Sequence, residues 1–152
     1  MTPPSFNISE RYELGGDSWS WRLKDNQIRF RGTGKYTNLV SQRIPASDSQ
    51  IESVHEAFNL LDVWQWRDDY DPHDAEREVL DGCSWTFDAQ FGGHINHSAG
   101  SNAYPSFADP LKTSLSRDRF DLLITAIYSA FRIDYYIDQA RQYSNPLVHK
   151  DG

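Results

Sequence analysis

Apolar and polar residues alternate through the first third of the chain, a pattern typical of strands that bury one face. Trp19, Trp21 and Leu23 fall on one side of their segment, and residues 28–31 repeat the alternation after a polar turn. Residues 5–14 alternate loosely, and we predict strands at 18–23, 28–31 and 36–44, so that the first third of the chain forms an antiparallel meander.

After Pro45 the apolar spacing changes to that of a helix. Ile51, Val54 and Phe58 recur on one face, which predicts an amphipathic helix over 48–62. Two capping boxes fit its start equally well, one from Ser47 to Gln50 and the other from Ser49 to Glu52.

Alternation returns in the second half of the chain. It predicts a hairpin of strands at 84–91 and 94–98, joined at Gly92-Gly93. Residues 100–105 are expected to form a loop, and a second helix is expected to start from Ser116 and to carry a wide apolar stripe.

These elements predict one domain over residues 1–152. Its expected class is α+β: an antiparallel sheet of five to six strands with two main helices packed on one face.

Composition limits the compartment and the partners. The chain has 152 residues, a net charge of -7 and a single cysteine, Cys83. A negative chain is a poor general partner for nucleic acid or for an anionic membrane surface. The lone cysteine, the absence of a signal-peptide pattern at the N-terminus and the lack of a long apolar run favour a cytoplasmic protein.

Negative charge is concentrated in one segment. Residues 48–81 contain eleven acidic and two basic side chains. The segment therefore carries -9, and the rest of the chain carries about +2. An electrostatic partner of this segment would be basic.

Motifs for known chemistry are weak or missing. A calcium loop starting at Asp69 would place Asp74 where glycine is needed and Leu80 where glutamate is needed. On a strand, His94 and His97 would point to opposite faces and could not share one metal ion. We therefore expect neither a metal nor a cofactor, although another geometry of the acidic residues 68–74 could hold a hard cation.

Three short patterns lie between Trp64 and Phe107: W-x-W-x-x-x-Y, D-G-x-x-W and G-S-N-x-Y-P. Together they resemble elements found in small uncharacterised bacterial proteins. The resemblance carries no activity, but it implies that one group of residues acts as a unit, either a packed joint or a site. That group is Trp64, Tyr70, Asp81, Gly82, Trp85, Asn102, Tyr104 and Pro105.

Aromatic rings in an acidic segment suggest non-catalytic recognition of a basic protein segment, in the manner of an immunity protein. The expected groove is lined by the rings of Trp64, Tyr70, Trp85 and Tyr104 with Asn102 beside them, and rimmed by Asp69, Asp71 and Asp81.

Two rival functions stay open. A small hydrolase would pair Asp69 or Asp81 with His94 or His97. A structural homodimer would instead bury the aromatic patch between subunits.

Overall fold

A computed structural model of the chain describes residues 3–12, 16–34, 43–72, 82–133 and 135–136. Its strands are β1 (Ser5–Tyr12), β2 (Ser18–Lys24), β3 (Gln27–Thr33), β4 (Arg43–Pro45), β5 (Asp69–Tyr70), β6 (Cys83–Phe91), β7 (His94–Ser101), β8 (Tyr104–Pro105) and β9 (Thr113–Ser114). Its helices are α1 (Asp48–Leu60) and α2 (Asp118–Ala130), with a 3-10 turn at Val63–Gln65.

Seven of the described strands form one sheet in the order β4-β3-β2-β1-β6-β7-β5, and β8 pairs with β9 in a small second sheet. Neighbours in the large sheet are antiparallel except β5, which pairs in parallel with β7. The predicted α+β class is confirmed. The predicted strand number is too low because β5 is a two-residue pairing with a distant strand, which local alternation cannot reveal.

The hairpins follow turn chemistry. Asp25 and Asn26 join β2 to β3 with φ of 54° and 60°, the left-handed conformation that two-residue hairpin turns require. Gly92 has the same left-handed conformation in the turn between β6 and β7, with φ of 58°. The predicted strand at 36–44 is described only at its end, as β4, and its remaining residues lie outside the described ranges.

Alternation along the strands sends the large apolar side chains to one face. Both helices pack there: Phe58 of α1 meets Phe6 and Phe87 edge to face at 5.8 and 5.3 Å. On the α2 side, Phe120 lies 4.8 Å from Trp85 between ring centroids. The two predicted helices thus cover one face, as expected. No helix in the described ranges is long and apolar enough to cross a membrane.

The helix starts differ in how they are capped. Ser47 and Gln50 form the capping box of α1, so the first of the two predicted boxes is the one used. For α2 the residue at the N-cap is Arg117, with no side-chain cap. The predicted Ser116 lies one residue earlier, where its Oγ accepts a hydrogen bond from the Asp118 backbone N–H at 3.3 Å.

The opposite face of the sheet, called the open face below, is not covered by any element within the described residues. It carries the polar half of each strand, including Asn7 and Ser9 of β1, Ser20, Arg22 and Lys24 of β2, Arg29 and Arg31 of β3, Arg43 of β4, Thr86 and Asp88 of β6, and Ile95 and His97 of β7. An antiparallel sheet with one solvated face has this distribution.

Candidate functional site

The rings expected to line a groove lie in the core. Tyr70, Trp85 and Tyr104 have exposed fractions of 0%, 1% and 5%. Trp85 and Tyr104 stack with an interplanar angle of 8° and centroids 6.1 Å apart. Trp64 is half-buried and stacks on His94 at 5.3 Å.

Hydrogen bonds lock the buried rings to the backbone around them. The Trp85 Nε1 donates to the Ala103 carbonyl at 2.8 Å. The Tyr70 hydroxyl accepts from the Arg67 N–H at 2.9 Å and donates to the Pro110 carbonyl. Asn102 has φ of 53°, and its Oδ1 accepts from the Cys83 N–H at 3.0 Å.

Gly100 completes this arrangement, because a Cβ at this position would collide with the Trp85 indole and the Ala103 carbonyl oxygen. We call Tyr70, Trp85, Asn102 and Tyr104 the aromatic joint. Its rings tie β5, β6 and β8 together and do not line a groove open to solvent, which corrects the expected geometry of these residues. Their burial raises the pKa of Tyr70 and of Tyr104.

Of the three residues expected to form the acidic rim, two lie among the described residues. Asp69 and Asp71 are exposed, and Asp81 lies outside the described residues. Within the described ranges, no group of three or more histidine, cysteine or acidic side chains is arranged to hold a metal ion.

The histidines proposed for a hydrolase are separated by the sheet. His94 is in register with Phe91, on the side of the helices, whereas His97 is in register with Asp88 on the open face. His97 Nδ1 contacts the Asp88 carboxylate, so its acidic partner is neither of the predicted ones. The hydrogen bond to the Asp88 carboxylate raises the pKa of His97, which favours the protonated form and leaves less of the ring free to accept a proton as a general base.

Cys83 is also unsuited to catalysis as a thiolate. Burial raises the pKa of the thiol, and the nearby Glu10 raises it further. Its Sγ lies 3.8 Å from the Tyr104 hydroxyl. His97 is opposite Asp88, five residues along β6 from Cys83, or about 17 Å at the rise of an extended strand.

The open face holds a feature that sequence reasoning missed. Strand register places six residues directly opposite one another across six strands, in the order Arg43, Arg29, Arg22, Asn7, Asp88 and His97. The first three are consecutive guanidinium side chains, all exposed. Like charges directly opposite on neighbouring strands destabilise a sheet.

Two further cations flank this row, Arg31 on β3 and Lys24 on β2. We call Arg22, Lys24, Arg29, Arg31 and Arg43 the cationic strip. None of its five members takes part in an ion pair with another described residue. Within the described part of the chain, therefore, no ion pair offsets the repulsion among these cations.

The open face of the sheet also carries concave regions. Three cavities of about 740, 820 and 420 Å³ are lined mostly by its residues, and the volumes lie in the range of ligand sites. The smallest is lined by much of the cationic strip, namely Arg22, Lys24, Arg29 and Arg31, together with Asn7, Ser20, Asp25 and Gln27.

The sequence did contain a signal for the strip. Arg22, Arg29 and Arg31 occupy the polar positions of the two strands predicted with the clearest alternation. Assigning charges to strand faces, rather than to segments, would have placed them together. The register that brings Arg43 beside them depends on β4.

Comparison with protein-family models, curated proteins and solved structures finds no match to this chain. We therefore infer what the open face can bind from the side chains that it carries. Guanidinium groups present planar, forked hydrogen-bond donors that suit carboxylates and phosphates.

Proposed function

We propose that this protein is a non-catalytic recognition module that binds its partner across the open face of the sheet. The observation that carries the proposal is the row of Arg43, Arg29 and Arg22, directly opposite one another and without acidic partners in the described part of the chain. A folded protein that keeps such repulsion on a solvated face gives up stability, and departures of this kind concentrate at functional sites.

Non-catalytic recognition is also the function expected from the sequence. The binding surface differs, because it is now the open face and not the aromatic groove. The aromatic joint contributes rigidity, because it fixes β5, β6 and β8 against α2. The acidic segment stays available as a second surface, since Glu52, Glu56 and Asp62 are exposed, but a solvated helix face is the ordinary state of such residues. A cytoplasmic, bacterial setting remains part of the proposal.

A site-specific photo-crosslinking experiment tests this function without assuming the partner's chemistry. A photoreactive amino acid would be placed at Ser20 or Asn7 on the open face, and at Glu52 on α1 as the matched control. In cells that encode the protein, we expect a discrete adduct from the first two positions and none from the control. Adducts of equal strength from all three positions, or none from the open face, would contradict the proposal.

A further inference from the structure

The cationic strip has a shape and a spacing as well as a charge. Resting on the function proposed above, we infer that the strip binds an extended acidic segment of a partner protein, with carboxylates at alternate residues. The inference names the chemistry of the partner, which the net charge of -7 does not suggest.

Spacing supports an extended segment. Arg29 and Arg31 lie on one face of β3 two residues apart, which corresponds to about 6.7 Å along a strand. Alternate side chains of an extended peptide have the same repeat, so acidic residues at i and i+2 could each face one of these guanidinium groups. Arg22 and Arg43 lie beside Arg29 on either side, at about 4.8 Å per strand, and can complete the contacts to one carboxylate.

The size of the strip favours a protein segment over a nucleic acid. It spans three strands, or about 10 Å, and extends about 13 Å along them. Beyond it, the same face becomes Asn7, Asp88 and then His97, and Asp69 lies at the far edge in register with Ala99. A duplex carries one charge per about 1.7 Å of axis and would extend over these carboxylates.

Single-stranded nucleic acid needs a different surface. Proteins that bind it stack bases on aromatic rings. Within the described strands, the indole and phenyl rings point away from the open face: Trp19, Trp21, Phe30, Trp85, Phe87 and Phe91 are all buried in the core. The imidazole of His97 lies on the open face, outside the strip, where it contacts Asp88. Arginine forks without a stacking platform fit carboxylates, which they bind in bidentate pairs.

The test measures binding of defined peptides to the full chain by fluorescence anisotropy. The probe is a labelled ten-residue peptide of alternating glutamate and serine. Its controls are the same peptide with glutamine in place of glutamate, a lysine version, and a ten-nucleotide oligo(dT). We expect binding of the glutamate peptide at least fivefold tighter than of any control at 50 mM salt, weakening several-fold at 300 mM because exposed charges are screened.

Variants locate the binding surface. Arg29→Ser should weaken binding of the glutamate peptide at least fivefold, whereas Lys112→Ser, which removes an exposed cation from a loop outside the strip, should leave it within twofold. Arg29→Lys should restore only part of the loss, because an ammonium group lacks the planar fork. Both substituted positions are exposed, and a cooperative thermal transition whose midpoint is not lowered shows that each variant folds.

Several results would overturn the inference. The inference would be refuted if the glutamine peptide bound as tightly as the glutamate peptide, or if the oligonucleotide bound more tightly. It would also be refuted if Arg29→Ser left the affinity for the glutamate peptide unchanged. Sedimentation that showed self-association abolished by Arg29→Ser would assign the strip to a second copy of the chain instead. If the glutamate peptide does not bind but crosslinks from the open face are still observed, the inference of an acidic partner is refuted and the proposed function stands. If no crosslinks form from the open face, the proposed function itself is refuted.

Discussion

Two buried tryptophans differ by one hydrogen bond. Trp85 Nε1 donates to the Ala103 carbonyl at 2.8 Å, whereas Trp21 Nε1 is buried without a partner among the described residues. Replacing either by phenylalanine removes the same atoms from the core. Trp85→Phe also leaves a buried carbonyl unpaired, while Trp21→Phe removes an unpaired donor.

We therefore predict that Trp85→Phe lowers the free energy of unfolding by about 1–2 kcal/mol more than Trp21→Phe does, the usual difference between breaking a buried hydrogen bond and removing an unmade one. Urea unfolding followed by circular dichroism measures both values, and each variant is the control for the other. Equal losses would show that the Trp85 bond contributes nothing beyond packing.

His97 gives a prediction in pH. The hydrogen bond and charge of Asp88 raise its pKa above the ordinary 6.5. A raised folded-state pKa means that the pair stabilises the protein fully below about pH 6.5, and that this contribution is lost as pH rises through the folded value. NMR titration of the His97 ring should give a pKa above 6.5, and Asp88→Asn should bring it back towards 6.5.

A pKa of His97 at or below 6.5 would mean that the carboxylate does not hold the ring in solution. Because both side chains are exposed, the effect on overall stability should be small. The ring titration is therefore the decisive measurement.

At the scale of elements, the start of α1 tests the capping box. The Ser47 Oγ accepts from the Gln50 backbone N–H at 3.3 Å, and the Gln50 Oε1 accepts from the Ser47 N–H at 2.9 Å. Ser47→Ala should lower the free energy of unfolding by about 1 kcal/mol. Ser49→Ala, inside the first turn, is the matched control and should cost less than half as much; the reverse order would contradict the capping assignment.

Local pattern predicted the elements that are long and amphipathic. β1, β2, β6 and α1 lie close to the expected bounds because each carries its own period and turn residues. The two-residue strands β5, β8 and β9 have no period of their own, since their pairing depends on partners distant in sequence. α2 begins at Asp118 after Arg117, which has no side-chain cap, and the predicted Ser116 lies one residue before the N-cap, where its Oγ accepts from the Asp118 N–H.

Neither the place nor the charge of the candidate site was predicted from the sequence. In the structure the rings of Tyr70 and Tyr104 both pack against Trp85, and Asn102 bonds the Cys83 backbone. Whether rings pack inward or line a groove depends on what covers them, and here Phe120 of α2 packs against both Trp85 and Tyr104. The cationic strip was missed because charge was summed along segments of the chain. Its arginines are separated in sequence and become neighbours only through strand pairing.

At the scale of the whole molecule, one buried carboxylate joins the sheet to α2. Glu10 has an exposed fraction of 2%. It accepts hydrogen bonds from the Tyr12 hydroxyl at 2.6 Å and from the Trp19 Nε1 at 3.2 Å, and pairs with Arg117 Nη2 at 2.5 Å. Arg117 in turn binds Asp121 of α2 at 2.7 Å. The Glu10 carboxylate of β1 therefore connects β2, through Trp19, with the start of α2, through Arg117.

Breaking this centre should destabilise the entire fold. Removing one partner of a buried ion pair costs about 3–5 kcal/mol; because the Arg117 side chain is 35% exposed, we expect about 2 kcal/mol for Glu10→Gln. Arg117→Gln should cost at least as much, because it leaves the buried Glu10 carboxylate without a counter-charge, whereas Arg117 keeps its pair with Asp121 in the Glu10→Gln variant. The double variant should be more stable than the sum of the two losses implies, because neither charge is then left alone. Urea unfolding of the four proteins gives the coupling energy, and strict additivity would show that the Glu10–Arg117 pair contributes nothing to joining the sheet to α2.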